Sequence, residues 1–153
     1  MTNERRQYVK FSFYQIDPAW RRLTAAERES GKQAFLAVLE RYARQMILRS
    51  YSLVGIRGDC DFLLWGVSEQ LEVFPALHAE LLKTGLGTYA RLPYSYGLDD
   101  QEFVLAFETD QPADFLDLVM ALRDTEASSY TERDTPIFSC IATPPAELLD
   151  QLG

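Results

Sequence analysis

His78 is the only histidine in the 153-residue chain, and the chemistry open to a single imidazole is narrow. One axial nitrogen is enough for a five-coordinate haem iron, whereas a hydrolytic triad or a tetrahedral zinc centre needs partners at defined positions. Its spacing argues first for packing. Phe74 precedes it by four residues and Leu82 follows it by four, which sets it on or beside the apolar stripe of a helix. No serine, cysteine or carboxylate stands at a spacing that joins it to His78 as nucleophile or base. Cys60 and Cys140 fall in strand-like segments, and neither has a second cysteine or a histidine at metal-ligand spacing. Asp59 with Asp61, and Asp99 with Asp100, could hold a cation, but both pairs flank a strand and read first as solvated turns. A Gly-rich phosphate cradle is missing, as is a clustered His/Asp/Glu set.

The aromatics suggest a second chemistry. Tyr51, Trp65, Tyr89, Tyr94, Tyr96 and Tyr130 gather at strand starts and ends, with Arg49, Arg57 and Arg91 close in sequence. A flat anionic ring system uses apolar walls for its faces and basic or hydroxyl groups for its carboxylates. A half-buried sheet or a subunit interface has the same composition, and that is the simpler reading.

Charge narrows the partners. The net charge is -8 and the sequence pI is about 4.6, so little of the surface can condense on a phosphate backbone and no nucleic-acid partner is expected. The charge is also uneven: residues through Leu98 carry 13 basic and 10 acidic side chains, those from Asp99 onward 2 and 13. An anionic ligand would be held by the front part, near Arg49, Arg57, Lys83 and Arg91, although acidic residues that only keep the back part soluble explain the same asymmetry. No apolar run approaches the roughly 18 residues a bilayer crossing needs, and the start lacks a signal-peptide core, so the expectation is a cytoplasmic protein without membrane insertion.

The elements that must position these residues follow from pattern. Tyr8 to Ile16 alternates, with Val9, Phe11 and Phe13 on one apolar face. Asp17-Pro18 stops that strand, and Thr24 with Glu27 forms a capping-box spacing for a helix carrying Phe35, Val38, Leu39 and Tyr42 through about Arg44. A strand over Met46 to Ile56, a turn at Gly58-Asp59 and a strand over Asp61 to Val67 read as a hairpin. A second helix spans about Gln70 to Thr84, glycines at 85 and 87 end it, and Tyr89 to Leu92 adds a strand. The order β-α-β-β-α-β is that of a ferredoxin-like unit, placed at residues 1–93.

Residues 94–153 repeat part of it. Shifted by 41 positions, seven residues recur without a gap: Phe62 as Phe103, Leu64 as Leu105, Phe74 as Phe115, Leu77 as Leu118, Leu81 as Leu122, Thr84 as Thr125 and Tyr89 as Tyr130. This predicts a strand near Glu102, a helix after Pro112 and a last strand over Ile137 to Ala142: a partial β-α-β unit without its first strand-helix-strand. A half-unit leaves an open sheet edge, so a homo-oligomer, and an architecture like a dimeric α+β barrel, are expected.

Four segments carry a family resemblance: FSFYQIDPAWRRL from Phe11, RSYSLVGIRGDCDFLLW from Arg49, YGLDDQEFVLAFETD from Tyr96 and DLVMALRDTEASSYTERDTPIF from Asp117. They resemble the chlorite dismutase-like superfamily, especially its coproheme decarboxylase or HemQ-type branch. The resemblance implies two ferredoxin-like domains per subunit, assembly into dimers or pentamers, and haem b or iron coproporphyrin held by the second domain. It further implies either chlorite conversion to chloride and dioxygen or, closer to these motifs, peroxide-dependent oxidation of two propionates. The family's proximal-histidine helix and active tyrosine lie in a stretch with no counterpart here, so neither carries over to a numbered residue. The porphyrin surface implied is Phe103, Leu118, Leu122 and Phe138, with His78 as a ligand supplied across an interface. A silent porphyrin-binding or assembly module is the alternative, and a small-molecule enzyme with a polar cavity inside the first unit is a third.

Overall fold

The computed structural model describes residues 6–98, 104–133 and 135–153. Its described residues fall into two compact units, one from Met1–Glu102 with Ser139–Gly153, the other from Phe103–Phe138.

In the first unit, β1 (Tyr8–Ile16), α1 (Ala25–Tyr42), β2 (Ile47–Ser52), β3 (Phe62–Ser68), α2 (Val73–Leu81) and β4 (Ala90–Tyr96) follow the expected ferredoxin-like order. The chain enters α1 through the capping box: Thr24 Oγ1 accepts from Glu27 N, and the Glu27 carboxylate accepts from Thr24 N at 2.8 Å. Before it, Asp17 Oδ1 accepts from Ala19 N and closes a 3-10 turn over Pro18–Arg22 that turns Trp20 into the core. Gly31 on α1 admits that indole, since a Cβ there would come within 2.8 Å of Trp20 Cη2 and 2.9 Å of Leu86 N.

The sheet is antiparallel, in the order β4-β1-β3-β2-β5, where β5 is the two-residue strand Ile141–Ala142. It is open, with β4 at one edge and β5 at the other. The barrel-like architecture expected from the sequence is therefore incorrect: the sheet ends at β4 and β5, and no strand pairing among the described residues joins these two edges. The expected partial β-α-β unit is corrected with it. Val104 to Thr109 forms no strand, and the end of the chain returns to the first sheet. There β5 pairs with β2, and α4 (Pro145–Gln151) buries Leu148 and Leu149, with Leu152 just beyond it, in the main core. That helix was not anticipated.

The helices cover a different strand face from the one the alternation singles out. The core joins Tyr14, Ile16, Phe62 and Leu64 to Phe35 and Leu39 of α1 and Phe74, Leu77 and Leu81 of α2. Val9, Phe11 and Phe13 fall on the opposite face, beside Leu63, Trp65 and Val67 by register. Strand β2 ends at Ser52 rather than Ile56 because the chain turns over Val54 to Ile56, with Gly55 at φ +76°.

The second unit holds α3 (Pro112–Arg123) and a 3-10 turn over Glu126–Tyr130. The 41-residue repeat has a structural echo here. Thr84 Oγ1 donates to Leu81 O and Thr125 Oγ1 donates to Leu122 O, each at 2.7 Å, and a 3-10 turn ending at Tyr89 or Tyr130 follows in each copy. Burial differs. Phe74, Leu77 and Leu81 are buried, whereas α3 has no buried residue, because the described part of its unit has no sheet to receive it. Phe115 of this helix packs against Phe107, ring centroids 6.1 Å apart.

Candidate functional site

The alternation of β1 sets Lys10, Ser12 and Tyr14 in a row on the face turned toward α2, where a buried strand face is normally apolar. His78, on the inner side of α2, meets that row: Tyr14 Oη and His78 Nδ1 lie 3.0 Å apart. Tyr14 is held from behind by stacking on Phe62, centroids 4.9 Å apart. Burial pushes the Tyr14 phenol well above its usual range, so it stays a neutral hydrogen-bonding group. Burial first, and the Lys10 charge second, hold the His78 imidazole below its ordinary value of 6.5.

That depression fixes a pH dependence. As pH falls through about 6.5 the unfolded chain takes up the imidazole proton before the folded protein does, so stability is highest above that value and declines below it. Between about pH 7 and pH 5 the Tm of the native protein is expected to fall more steeply than that of His78→Gln. Equal slopes would show that the imidazole is not desolvated.

Between β1, β3 and α2, Lys10, Ser12, Tyr14 and His78 border a cavity of about 10 Å³ whose other walls include Met46 and Phe74. This is a polar cavity inside the first unit, but it has room for one water-sized species and not for an organic substrate. A porphyrin does not fit it either. Gly66 gives no relief, since a Cβ there would stand 2.6 Å from Met46 Cε and 3.0 Å from Phe74 Cε1. Of the porphyrin surface expected from the resemblance, His78 lies in the first unit while Leu118, Leu122 and Phe138 lie in the second. Leu118 and Phe138 are half-buried and Leu122 is exposed. Phe103 falls outside the described residues, as do Asp99 and Asp100. Residues 104–138 contain no histidine or cysteine to act as an axial ligand. Among the described residues, neither unit by itself brings His78 together with Leu118, Leu122 and Phe138.

A second cluster closes the β2–β3 loop. Arg57 grips the Asp59 carboxylate with two hydrogen bonds, Nε to Oδ1 and Nη2 to Oδ2, both 2.7 Å, and Tyr94 Oη donates to Oδ2 at 2.9 Å. The Arg57 hydrogen bonds hold the Asp59 carboxyl far below the usual carboxylate range. Asp61 is equally committed, its Oδ2 accepting from Ile16 N at 2.7 Å. Both carboxylates are thus turn fasteners, and among the described residues no group of three or more His, Cys, Asp or Glu could hold a metal ion. Burial pushes the Cys60 and Cys140 thiols up to about 11, which leaves neither a nucleophile at neutral pH.

Four of the six aromatics noted in the sequence share one sheet region on the side away from the helices. Trp65 lies opposite both Phe11 and Arg49, Tyr51 opposite Leu63, and Tyr94 and Tyr96 opposite Phe13 and Phe11. Phe11 stacks on Trp65 at 5.8 Å, Tyr94 on Tyr96 at 6.2 Å, and the Arg49 guanidinium stands 5.3 Å from the Trp65 ring. Arg91 donates to Gln15 Oε1. The three arginines considered as carboxylate holders are accordingly engaged within the protein. Tyr89 packs on Trp20 instead, and Tyr130 is 82% exposed in the second unit.

The fold and this site define an α+β protein with a ferredoxin-like sheet, helices packed on one of its faces, and a Tyr14–His78 pair that joins strand β1 to helix α2. The sequence model of the chlorite dismutase family matches residues 28–96 and again 89–143, and the chain belongs to that family. Solved structures agree on the fold. A chlorite dismutase from Candidatus Nitrospira defluvii in complex with imidazole has a TM-score of 0.89 at 16% identity, over 95% of this chain and 94% of that one. A substituted form of the same enzyme in complex with cyanide gives the same values. Against another substituted form the match has a TM-score of 0.55 at 19% identity and spans 58% of this chain and 37% of that one. No curated protein matches the chain. No helix among the described residues is long and apolar enough to cross a membrane.

Proposed function

We propose that this chain is a catalytically silent member of the chlorite dismutase family, a porphyrin-associated assembly module rather than a self-sufficient haem enzyme. One observation carries the reading: the sole histidine is bonded to Tyr14 beside a water-sized cavity of the first unit, whereas Leu118, Leu122 and Phe138 belong to the second. A haem- or coproheme-dependent oxidoreductase of the HemQ type is the second reading, favoured by the family match over residues 89–143. When bound, an iron porphyrin would supply the peroxide chemistry; this chain's residues supply apolar surface. Incubation with iron coproporphyrin and hydrogen peroxide, followed by chromatography of the porphyrins, separates the two. The silent reading expects no haem b above a protein-free control, and catalytic conversion would favour the second.

Self-association belongs to the same reading. The second unit exposes Leu105 at 84%, Leu116 at 63% and Met120 at 54%, large apolar side chains that a partner surface would cover. Sedimentation velocity at micromolar concentration is expected to show a species heavier than the 17.5 kDa chain. A compact monomer would contradict it.

A further inference from the structure

The strand order β4-β1-β3-β2 of the first unit has an approximate two-fold built into it. Its halves, β1-α1-β2 and β3-α2-β4, each set their first strand at the centre and their second outside the other half's first strand, and the central β1 and β3 run antiparallel. Each half therefore completes the other. The 41-residue repeat copies the β3-α2 half into the second unit, and the copy keeps its internal arrangement. Gly66 lies against Phe74, where a Cβ would stand 3.0 Å from Cε1, and their counterparts Phe107 and Phe115 pack with ring centroids 6.1 Å apart. The facing half is what the copy lacks. Leu64, opposite Ser12 of β1, is 3% exposed, whereas its counterpart Leu105 is 84% exposed. Residues 104–109 are all exposed and belong to no sheet, and α3 has no buried residue.

Given the self-association proposed above, we infer that the partner of this half is the same half of a second copy. Residues 104–109 of two chains pair antiparallel about a two-fold axis, and the two α3 helices cover one face of the shared strands as α1 and α2 cover the first sheet. Such a contact is isologous and closes on itself. The available surface is sufficient. Leu105, Phe107 and Leu122 are 45–84% exposed, and Phe115, Leu118 and Val119 are half-buried. Together they offer roughly 500 Å² per copy, so about 1,000 Å² leaves water on pairing, the least that a specific contact needs. Pairing also gives each segment partners for one row of its backbone groups. Acidic side chains outnumber basic ones in residues 104–138, so the contact forms against like charge and salt tightens it.

Sedimentation equilibrium of the full chain, with hydrogen exchange followed at the amides of residues 104–109, tests the pairing. The native chain is expected at twice the 17.5 kDa mass or an even multiple of it, with these amides protected. Leu105→Glu buries a charge in the contact and is expected to weaken association about tenfold or more and to release the amides. The side chain is exposed in the single chain, so the fold of the first unit does not depend on it. Leu71→Glu makes the same charge change at a leucine of the first unit that is 43% exposed, and is expected to leave the mass unchanged. An odd-numbered assembly, unprotected amides, equal loss in both variants, or a heavy species that Leu105→Glu leaves intact would overturn the pairing while self-association stands. A monomeric native chain would overturn both.

Discussion

Trp20→Ala is expected to cost about 3–5 kcal/mol of folding stability, a large share of the roughly 5–15 kcal/mol of an ordinary domain. The indole is 0% exposed and is the largest of the fully buried side chains. It sits where the 3-10 turn over Pro18–Arg22, Gly31 of α1 and Tyr89 meet, so its removal opens a cavity at the joint between the first crossover and the end of the second. The surroundings cannot close over it, since Gly31 has no side chain to offer. Its Nε1 has no hydrogen-bond partner among the described residues, which makes Trp20→Phe the informative companion. Phenylalanine keeps much of the apolar contact and forfeits no bond, so it should recover most of the loss. Urea unfolding followed by far-ultraviolet circular dichroism measures both variants without relying on the indole itself. A loss under about 1 kcal/mol for alanine would mean that the turn does not seat Trp20 in the core.

Gly87→Ala is the second large effect, and it acts on the element that carries His78. A Cβ at Gly87 would overlap the Leu81 carbonyl oxygen and stand 2.6 Å from its carbon, atoms of the backbone that no rotamer change can move. The same junction is closed by Thr84, whose Oγ1 donates to Leu81 O and accepts from Gly87 N at 3.0 Å. The methyl must therefore unwind the end of α2 or push β4 outward, at about 3 kcal/mol, the upper part of the range for overpacking. Gly58→Ala is the control, with nothing within 4 Å of its Cβ and an expected change inside about 0.5 kcal/mol. Thermal unfolding of the two variants side by side should separate them clearly. Similar Tm values would show that α2 does not end in this tight approach.

The same junction explains what the 41-residue repeat does and does not reproduce. Ser128 occupies the position equivalent to Gly87, so the second copy cannot make that close approach, yet Thr125 still closes its helix as Thr84 does. Sequence identity at seven positions reveals a shared helix and turn, because those depend on local bonds. Burial depends on what lies opposite. Leu81 has a sheet beneath it and Leu122 has none within the described part of its unit, and no local pattern distinguishes the two.

Other features divide along the same line. The Thr24–Glu27 capping box and the order of the first six elements were legible because each is written in a few adjacent residues. The identity of the helix-covered strand face was not. Val9, Phe11 and Phe13 make the more apolar alternation, but the helices pack on Tyr14 and Ile16, since both faces of β1 carry aromatics and only tertiary contact decides between them. Taking Val9, Phe11 and Phe13 as the apolar face left the row Lys10, Ser12 and Tyr14 opposite it unread, and with it the partner of His78. The helix spacing of Phe74, Leu77 and His78 was a usable signal that the imidazole is packed. That it meets a tyrosine 64 positions earlier follows only from the pairing of β1 with β3 under α2. Helix α4 announced itself weakly, through Pro144-Pro145 followed by Leu148, Leu149 and Leu152, a run too short for periodicity to stand out.

The central claim is that the histidine of this chain belongs to its own sheet-and-helix packing and not to a porphyrin iron. Titration of the apoprotein with ferric haem b and with iron coproporphyrin, followed in the Soret region for the native chain and His78→Ala, tests it most directly. The account predicts that whatever porphyrin binds does so with the same spectrum and stoichiometry in both proteins. A saturable, histidine-ligated high-spin spectrum in the native chain that disappears in His78→Ala, with oligomer mass preserved, would contradict it.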